Sequence, residues 1–197
     1  QGSNKFEPAN EKVIVKVTKV PTSIDVEKYY AWKLGDTASV NATLNPQSAG
    51  SLNFISNNES VVTVDKKGKI TIVSVGKTTV FVSFAGNDKY AAALNRTIHV
   101  NVSLNDASVS VENDTLKLKV DERYDLNVTA VPSFLNVEYI SSNESVATVT
   151  DYGIVTAVGE GTCIITLTVG NDVTYAVNTT NVTVTVSKIP TEITVDT

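Results

Sequence analysis

Two stretches of the chain read almost alike: Ser56-Asn-Asn-Glu-Ser-Val-Val-Thr-Val64 and Ser141-Ser-Asn-Glu-Ser-Val-Ala-Thr-Val149. They lie 85 residues apart and differ at two of nine positions. A phrase used twice marks either two sites or two copies of a fold, and the flanking residues decide for the fold. Upstream, Asn41-Ala-Thr-Leu-Asn-Pro46 matches Asn127-Val-Thr-Ala-Val-Pro132. Downstream, Asp65-Lys-Lys-Gly-Lys-Ile-Thr71 matches Thr150-Asp-Tyr-Gly-Ile-Val-Thr156, and Gly86-Asn-Asp88 matches Gly170-Asn-Asp172. Val75-Gly76 followed by Thr79 is laid on Val158-Gly159 followed by Thr162, so the offset runs between 83 and 86. A repeat of about 85 residues suits a seven-strand sandwich. Within the phrase, Val61 or Val62 and then Val64 predict a short strand. The Ser and Asn residues before them predict a turn whose side chains bond back to the backbone.

A second period is 169 residues long: Phe6–Val26 lies on Tyr175–Val195 without a gap. Val13, Val15 and Val17 then fall on Val182, Val184 and Val186. The expected organisation follows: residues 1–3 (Gln-Gly-Ser) a tag remnant, 4–20 the terminal strand of a preceding repeat, 21–103 a first sandwich, 104–188 a second, and 189–197 the first strand of a following repeat. With no Met in the chain, this reads as a slice of a longer tandem array.

Composition agrees with an all-β chain. Val, Ile and Thr make up 69 of 197 residues, and β-branched side chains favour the pleated, half-buried surface of a sheet. The net charge of −5, with no basic cluster, argues against a nucleic-acid partner. No apolar run reaches the ~18 residues of a membrane-spanning helix. Cys163 is the single cysteine, so no disulfide forms within the chain. Asn-x-Ser/Thr sequons begin at Asn41, Asn58, Asn95, Asn101, Asn113, Asn127, Asn143, Asn178 and Asn181. Nine is about double what the Asn, Ser and Thr content produces by chance, and these residues are the glycosylation candidates of an extracellular chain.

Alternation assigns faces. In the second strand Val40, Ala42 and Leu44 align with Leu126, Val128 and Ala130 as core positions, which turns Asn41 and Asn127 to solvent. In the sixth, Val80, Val82 and Phe84 align with Cys163, Ile165 and Leu167. In the seventh, Ile98, Val100 and Val102 align with Val182, Val184 and Val186. Gly68 and Gly153 are expected at tight turns of positive φ.

The phrase Ser141–Val149 together with Gly153-Ile-Val-Thr-Ala-Val-Gly-Glu-Gly-Thr162 resembles the bacterial immunoglobulin-like domain family, group 2. The first copy keeps the pattern more loosely, with Lys77-Thr78 where Glu160-Gly161 stand. The Gly-Asn-Asp elements with their following Tyr90 and Tyr175 look like those of large adhesin-like surface proteins of archaea and bacteria. The resemblance covers nearly the whole chain. It implies two tandem immunoglobulin-like β-sandwiches in a cell-surface setting, and it carries no catalytic residues.

Little in the chain points to chemistry. His99 is the only histidine and lies on the outward side of its strand, without the further ligands of a transition-metal site. Cys163 reads as a small buried hydrophobe. A Ser-His-Asp triad would need this one His, and no nucleophile elbow accompanies it. The acidic residues Glu112, Asp114, Asp121, Glu122, Asp88 and Asp172 read as solvated loop charges, without the dense oxygen spacing of a calcium loop. Tyr29-Tyr30-Ala31-Trp32 is the one stretch that suggests recognition, because exposed aromatics stack on sugar rings. Tyr30, Trp32 and Leu34 align with Leu116, Leu118 and Val120 as core positions, which leaves Tyr29 outward as the candidate ligand contact. No enzyme activity, metal or cofactor is expected. The expected function is a non-catalytic stalk that spaces a distal adhesive region from the cell, with neighbouring repeats as its partners. The alternative is a module that itself binds glycans or proteins of a host or partner cell.

Overall fold

The computed structural model describes residues 10–191. Its described residues form two compact units, 10–32 with 36–101 and 33–35 with 102–191. In the first, the strands are β1 (Ser23–Val26), β2 (Tyr29–Lys33), β3 (Ala38–Ser39), β4 (Ala42–Asn45), β5 (Asn53–Ser56), β6 (Val62–Val64), β7 (Lys69–Ile72), β8 (Gly76–Ser83) and β9 (Arg96–Ser103). The second repeats them as β10 (Ser108–Ser110), β11 (Thr115–Lys119), β12 (Arg123–Asp125), β13 (Thr129–Val131), β14 (Glu138–Ser141), β15 (Ala147–Val149), β16 (Ile154–Ala157), β17 (Gly161–Val169) and β18 (Asn178–Ser187). Strand ends of β2 and β9 fall at the boundary between the units.

Each unit is a two-layer sandwich. One layer is the four-stranded sheet β2-β9-β8-β5, or β11-β18-β17-β14 in the second unit. The other is β3-β7-β6 with the pair β1-β4, or β12-β16-β15 with β10-β13. The first segment of each unit serves both layers. β10 pairs antiparallel with β13, then the chain crosses over and β11 runs parallel to β18. A short strand with one hydrophobic face cannot stand alone, and two such faces closed on each other bury both.

Alternation fills that interior. In the second unit Leu116, Leu126, Ile165, Leu167, Val182 and Val184 are all 5% exposed or less. Each full burial of such a side chain contributes about 1.5–3 kcal/mol. Among the described residues no polar or charged residue is fully buried. The repeated phrase is structural. The side-chain oxygen of Asn58 accepts from the backbone N–H of Ser60 at 3.0 Å, and that of Asn143 from Ser145 N–H at 3.1 Å. Each turn launches a three-residue strand, β6 or β15. Gly68 and Gly153 hold φ of 81° and 79°, as expected. The Gly-Asn-Asp element is also a turn. Asn87 Oδ1 accepts from the N–H groups of Lys89 and Tyr90, and the Tyr90 hydroxyl bonds Ser48 at 2.9 Å.

The structure corrects two readings. First, the second strand is not continuous. It breaks at Asn41 and at Asn127 into pieces that pair with different strands of one layer, β3 with β7 and β4 with β1 in the first unit, β12 with β16 and β13 with β10 in the second, and Asn127 takes a φ of 47°. Val40 and Leu44 still reach the core, whereas Ala42, Val128 and Ala130 are only half-buried. Second, the sixth strands align two residues away from the identity match. Gly76 and Gly161 are equivalent, with φ of 150° and 152° and each closest to one valine, Val61 and Val146. Val80 therefore corresponds to Ile165, Val82 to Leu167 and Phe84 to Val169, while Cys163 corresponds to Thr78. The pairings Ser56–Val80 and Ser141–Ile165 confirm the shift. The valine-rich segment at the start makes no strand within residues 10–19, and its reading as the terminal strand of a preceding repeat stays an expectation. Val13, Ile14, Val15 and Val17 are 78–89% exposed, and the segment first pairs at Val20, which bridges Tyr90. The remainder of that segment, and residues 192–197 of the expected following strand, lie outside the described residues.

Candidate functional site

Alternation puts every second side chain of the four-stranded sheet on its outer face. In the first unit Tyr29 of β2 and His99 of β9 meet there. The His99 N–H donates to the Lys28 carbonyl at 2.8 Å, which sets the two strands in register. The rings stack at 5.2 Å between centroids and 18° between planes, and Tyr29 is 73% exposed. This is the outward placement expected of Tyr29, with a neighbour 70 residues further along the chain. Beside the stack, a shallow depression of about 430 Å3 is lined by Tyr29, Ala31, Lys77, His99 and Asn101. Behind it, Tyr30 stacks on Trp32 at 5.1 Å, both rings half-buried rather than fully enclosed. The Tyr30 hydroxyl and the Thr78 hydroxyl are buried without a hydrogen-bond partner.

The second unit is an internal control for this face. Its register places Thr115 opposite Thr183 and Lys117 opposite Thr185, which itself faces Thr162. These are the positions of Tyr29, His99, Ala31, Asn101 and Lys77. The sheet therefore folds with threonines and a lysine where the first unit has two aromatic rings, an alanine and an amide. The fold does not demand the patch.

The nine sequon asparagines are all exposed. Most of their carboxamides are engaged in the fold. Besides the turns at Asn58 and Asn143, the Asn113 amide donates to the Tyr124 hydroxyl at 2.8 Å, and the Asn127 amide donates to Glu112 at 3.0 Å. Asn178 Oδ1 accepts from Val109 N–H, Asn181 Oδ1 from the Thr166 hydroxyl, and Asn41 Oδ1 from the Ser39 hydroxyl. Among the described residues, only the carboxamides of Asn95 and Asn101 make no such bond. Cys163 is buried at 3% exposure, as a small core side chain. Among the described residues no three His, Cys, Asp or Glu side chains converge as metal ligands would. The patch offers stacking surface and one cation, Lys77. It offers no nucleophile held by a base.

The sequence marked Tyr29 but not His99, Ala31, Lys77 or Asn101 as its neighbours. The signal was present only in a comparison of outward positions between the two copies, where aromatic and amide side chains replace threonine.

No curated protein matches the chain. Among solved structures it is similar to domains 4 and 5 of the S-layer protein SbsC, at 21% identity over 76% of this chain and 82% of that one, with a TM-score of 0.41. A longer SbsC structure aligns at 17% identity over 86% of this chain and 28% of that one, with a TM-score of 0.43. Drosophila N-cadherin EC1-3 aligns at 10% identity over 86% of this chain and 68% of that one, with a TM-score of 0.35. The model of the bacterial Ig-like domain (group 2) matches residues 20–92 and again 106–180. Two matches that fall on the two sandwiches and together cover most of the chain place it plainly: the protein is a tandem pair of the group 2 bacterial Ig-like domain family.

Proposed function

We propose that the chain is a non-catalytic stalk segment of a cell-surface protein, which spaces a distal adhesive region from the cell. The observation that carries this reading is repetition without specialisation of the interior. One sandwich is built twice, and the buried residues of both are apolar packing groups. A segment whose function is length needs stable, interchangeable modules, and repeated sandwiches supply them. Neighbouring repeats are its partners in the same chain. The test is replacement within the full surface protein. Exchanging this segment for two unrelated sandwiches of equal length should leave cell adhesion intact, and deleting it should weaken adhesion. Loss of adhesion on exchange would refute the stalk.

A second reading rests on the exposed Tyr29–His99 pair, which the fold does not require. In it the first sandwich itself binds glycans or proteins of another cell. Saturable binding of the purified chain to a glycan array or to intact cells, weakened by Tyr29→Ala, would favour this over the stalk.

A further inference from the structure

We propose that Asn101 carries an N-linked glycan whose first sugar ring lies on the Tyr29–His99 pair. Three observations converge. Asn101 lies in the lining of the depression beside the stacked rings, two residues from His99 on the same outward face of β9. Its carboxamide makes no hydrogen bond, as at Asn95, whereas Asn113 and Asn127 commit the Nδ2 that a glycan would take and five other sequon asparagines commit Oδ1. Ala31 lines the depression; the second unit has Lys117 at that place, and it has Thr185 in place of the sequon. Aromatic pair, alanine and sequon thus stand together in one sandwich, and none of the three stands at the corresponding positions of the other, whose outward sequon on that strand is Asn181.

The physical logic is that of a tethered ligand. A pyranose ring presents an apolar C–H face that packs on an aromatic ring, while its hydroxyls stay in water. Attachment at Asn101 holds the sugar at the platform without the entropy cost of capturing a free one. The attachment is a group transfer from a lipid-diphosphate-linked oligosaccharide. The Asn101 Nδ2–C1 bond forms, and the bond from C1 to the diphosphate oxygen breaks. One amide proton passes to a base of the transferase, and the lipid diphosphate leaves with the electron pair. Lys77 and the Tyr29 hydroxyl flank the depression as polar contacts for the outer hydroxyls of the sugar.

The inference rests on the surface reading, because the donor and its transferase act on exported chains, and the test separates the two. In protein isolated from its native cells, mass spectrometry should find Asn101 modified. An unmodified Asn101 beside other modified sequons would overturn the inference and leave the surface reading standing. A chain with no modified sequon overturns it too, and protease shaving of intact cells then decides the surface reading by itself. The stacking is tested on the whole chain secreted from a glycosylating host. Asn101→Gln should lower the melting temperature of the first unit by about 3 °C, and by less than about 1 °C in a Tyr29→Thr background. Tyr29→Thr copies Thr115 of the second unit, so the sheet itself should tolerate it. Equal losses in both backgrounds would show that the ring is not the platform. Tyr29-dependent binding of free glycans by glycan-free chain would show that the platform serves another molecule's sugar, and would overturn the tethered arrangement.

Discussion

Thr78 and Cys163 occupy one place in the two sandwiches, facing the core from β8 and β17; the first carries a hydroxyl and a methyl where the second carries a thiol. Cys163 is 3% exposed and packs as a hydrophobe. The Thr78 hydroxyl is buried with nothing to bond. An unpaired buried hydroxyl costs about 1–3 kcal/mol relative to an apolar group of the same shape. Thr78→Val removes it without changing the branched outline. It should stabilise the first unit by about 1 kcal/mol, read as a higher urea midpoint at an unchanged slope. A lower midpoint would mean that the hydroxyl has a partner after all. The reverse exchange, Cys163→Thr, should destabilise the second unit by a similar amount. Gly161 poses a different residue-scale constraint. Its φ is 152°, and a Cβ there would stand 2.8 Å from a Val146 methyl that is itself buried. Gly161→Ala combines backbone strain with overpacking and should cost about 2–3 kcal/mol in chemical denaturation of the second unit. A loss below about 1 kcal/mol would show that Val146 gives way freely.

At the scale of the element, the turn between β6 and β7 and its copy between β15 and β16 have one geometry and two chemistries. The Asp65 carboxylate accepts from the N–H groups of Lys67 and Lys69 at 2.8 and 2.9 Å. In the copy, the Thr150 hydroxyl accepts from those of Tyr152 and Ile154 at 3.3 and 3.2 Å. The Lys69 and Lys67 N–H bonds hold the Asp65 carboxyl below its ordinary value of 3.8, while the hydroxyl does not titrate. A carboxyl whose folded pKa is depressed stabilises above its unfolded value and loses that contribution as pH falls through the folded value. Protection factors of the Lys67 and Lys69 amides should therefore fall as pH drops below about 3.8, while those of Tyr152 and Ile154 stay level. Asp65→Thr should remove the difference; an acid response that survives it would place the cause elsewhere. The same element scale shows what was legible in the sequence. Alternation found the core residues of the long strands, and Asn-x-Ser with the glycines found the turns, because both signals are local. The break at Asn41 and Asn127 was hidden, since apolar residues continue on both sides and only the change of pairing partner reveals it. The slip between Gly76 and Gly161 was hidden by the dipeptide match of Val75-Gly76 to Val158-Gly159, because identity carries no record of φ. The outward Tyr29 was readable from alternation. Its stack on His99 was not, because it depends on the register of strands far apart in the chain.

On the scale of the whole molecule, interior and outer face answer to different demands. The interiors of the two units are alike in kind, with valine, leucine and isoleucine on alternate positions, whereas the outer faces differ in chemistry. If the interior alone specifies the fold, the first unit should accept the outer face of the second. The variant carrying Tyr29→Thr, Ala31→Lys, Lys77→Thr, His99→Thr and Asn101→Thr tests this in the full chain. None of the five side chains belongs to the core, and β-branched threonine suits an exposed sheet position at least as well as the residues it replaces. Surface changes of this kind usually stay within about 0.5 kcal/mol each. The five together should move the melting temperature of the first unit by no more than about 10 °C, with cooperative unfolding retained. Loss of cooperativity, or loss of the near-ultraviolet circular dichroism signal with the far-ultraviolet signal kept, would mean that the Tyr29–His99 stack helps to hold the sheet, and that its role is structural. An intact fold means that the patch is a free choice of this sandwich, and it leaves a variant in which any function of that face is gone while the scaffold is unchanged.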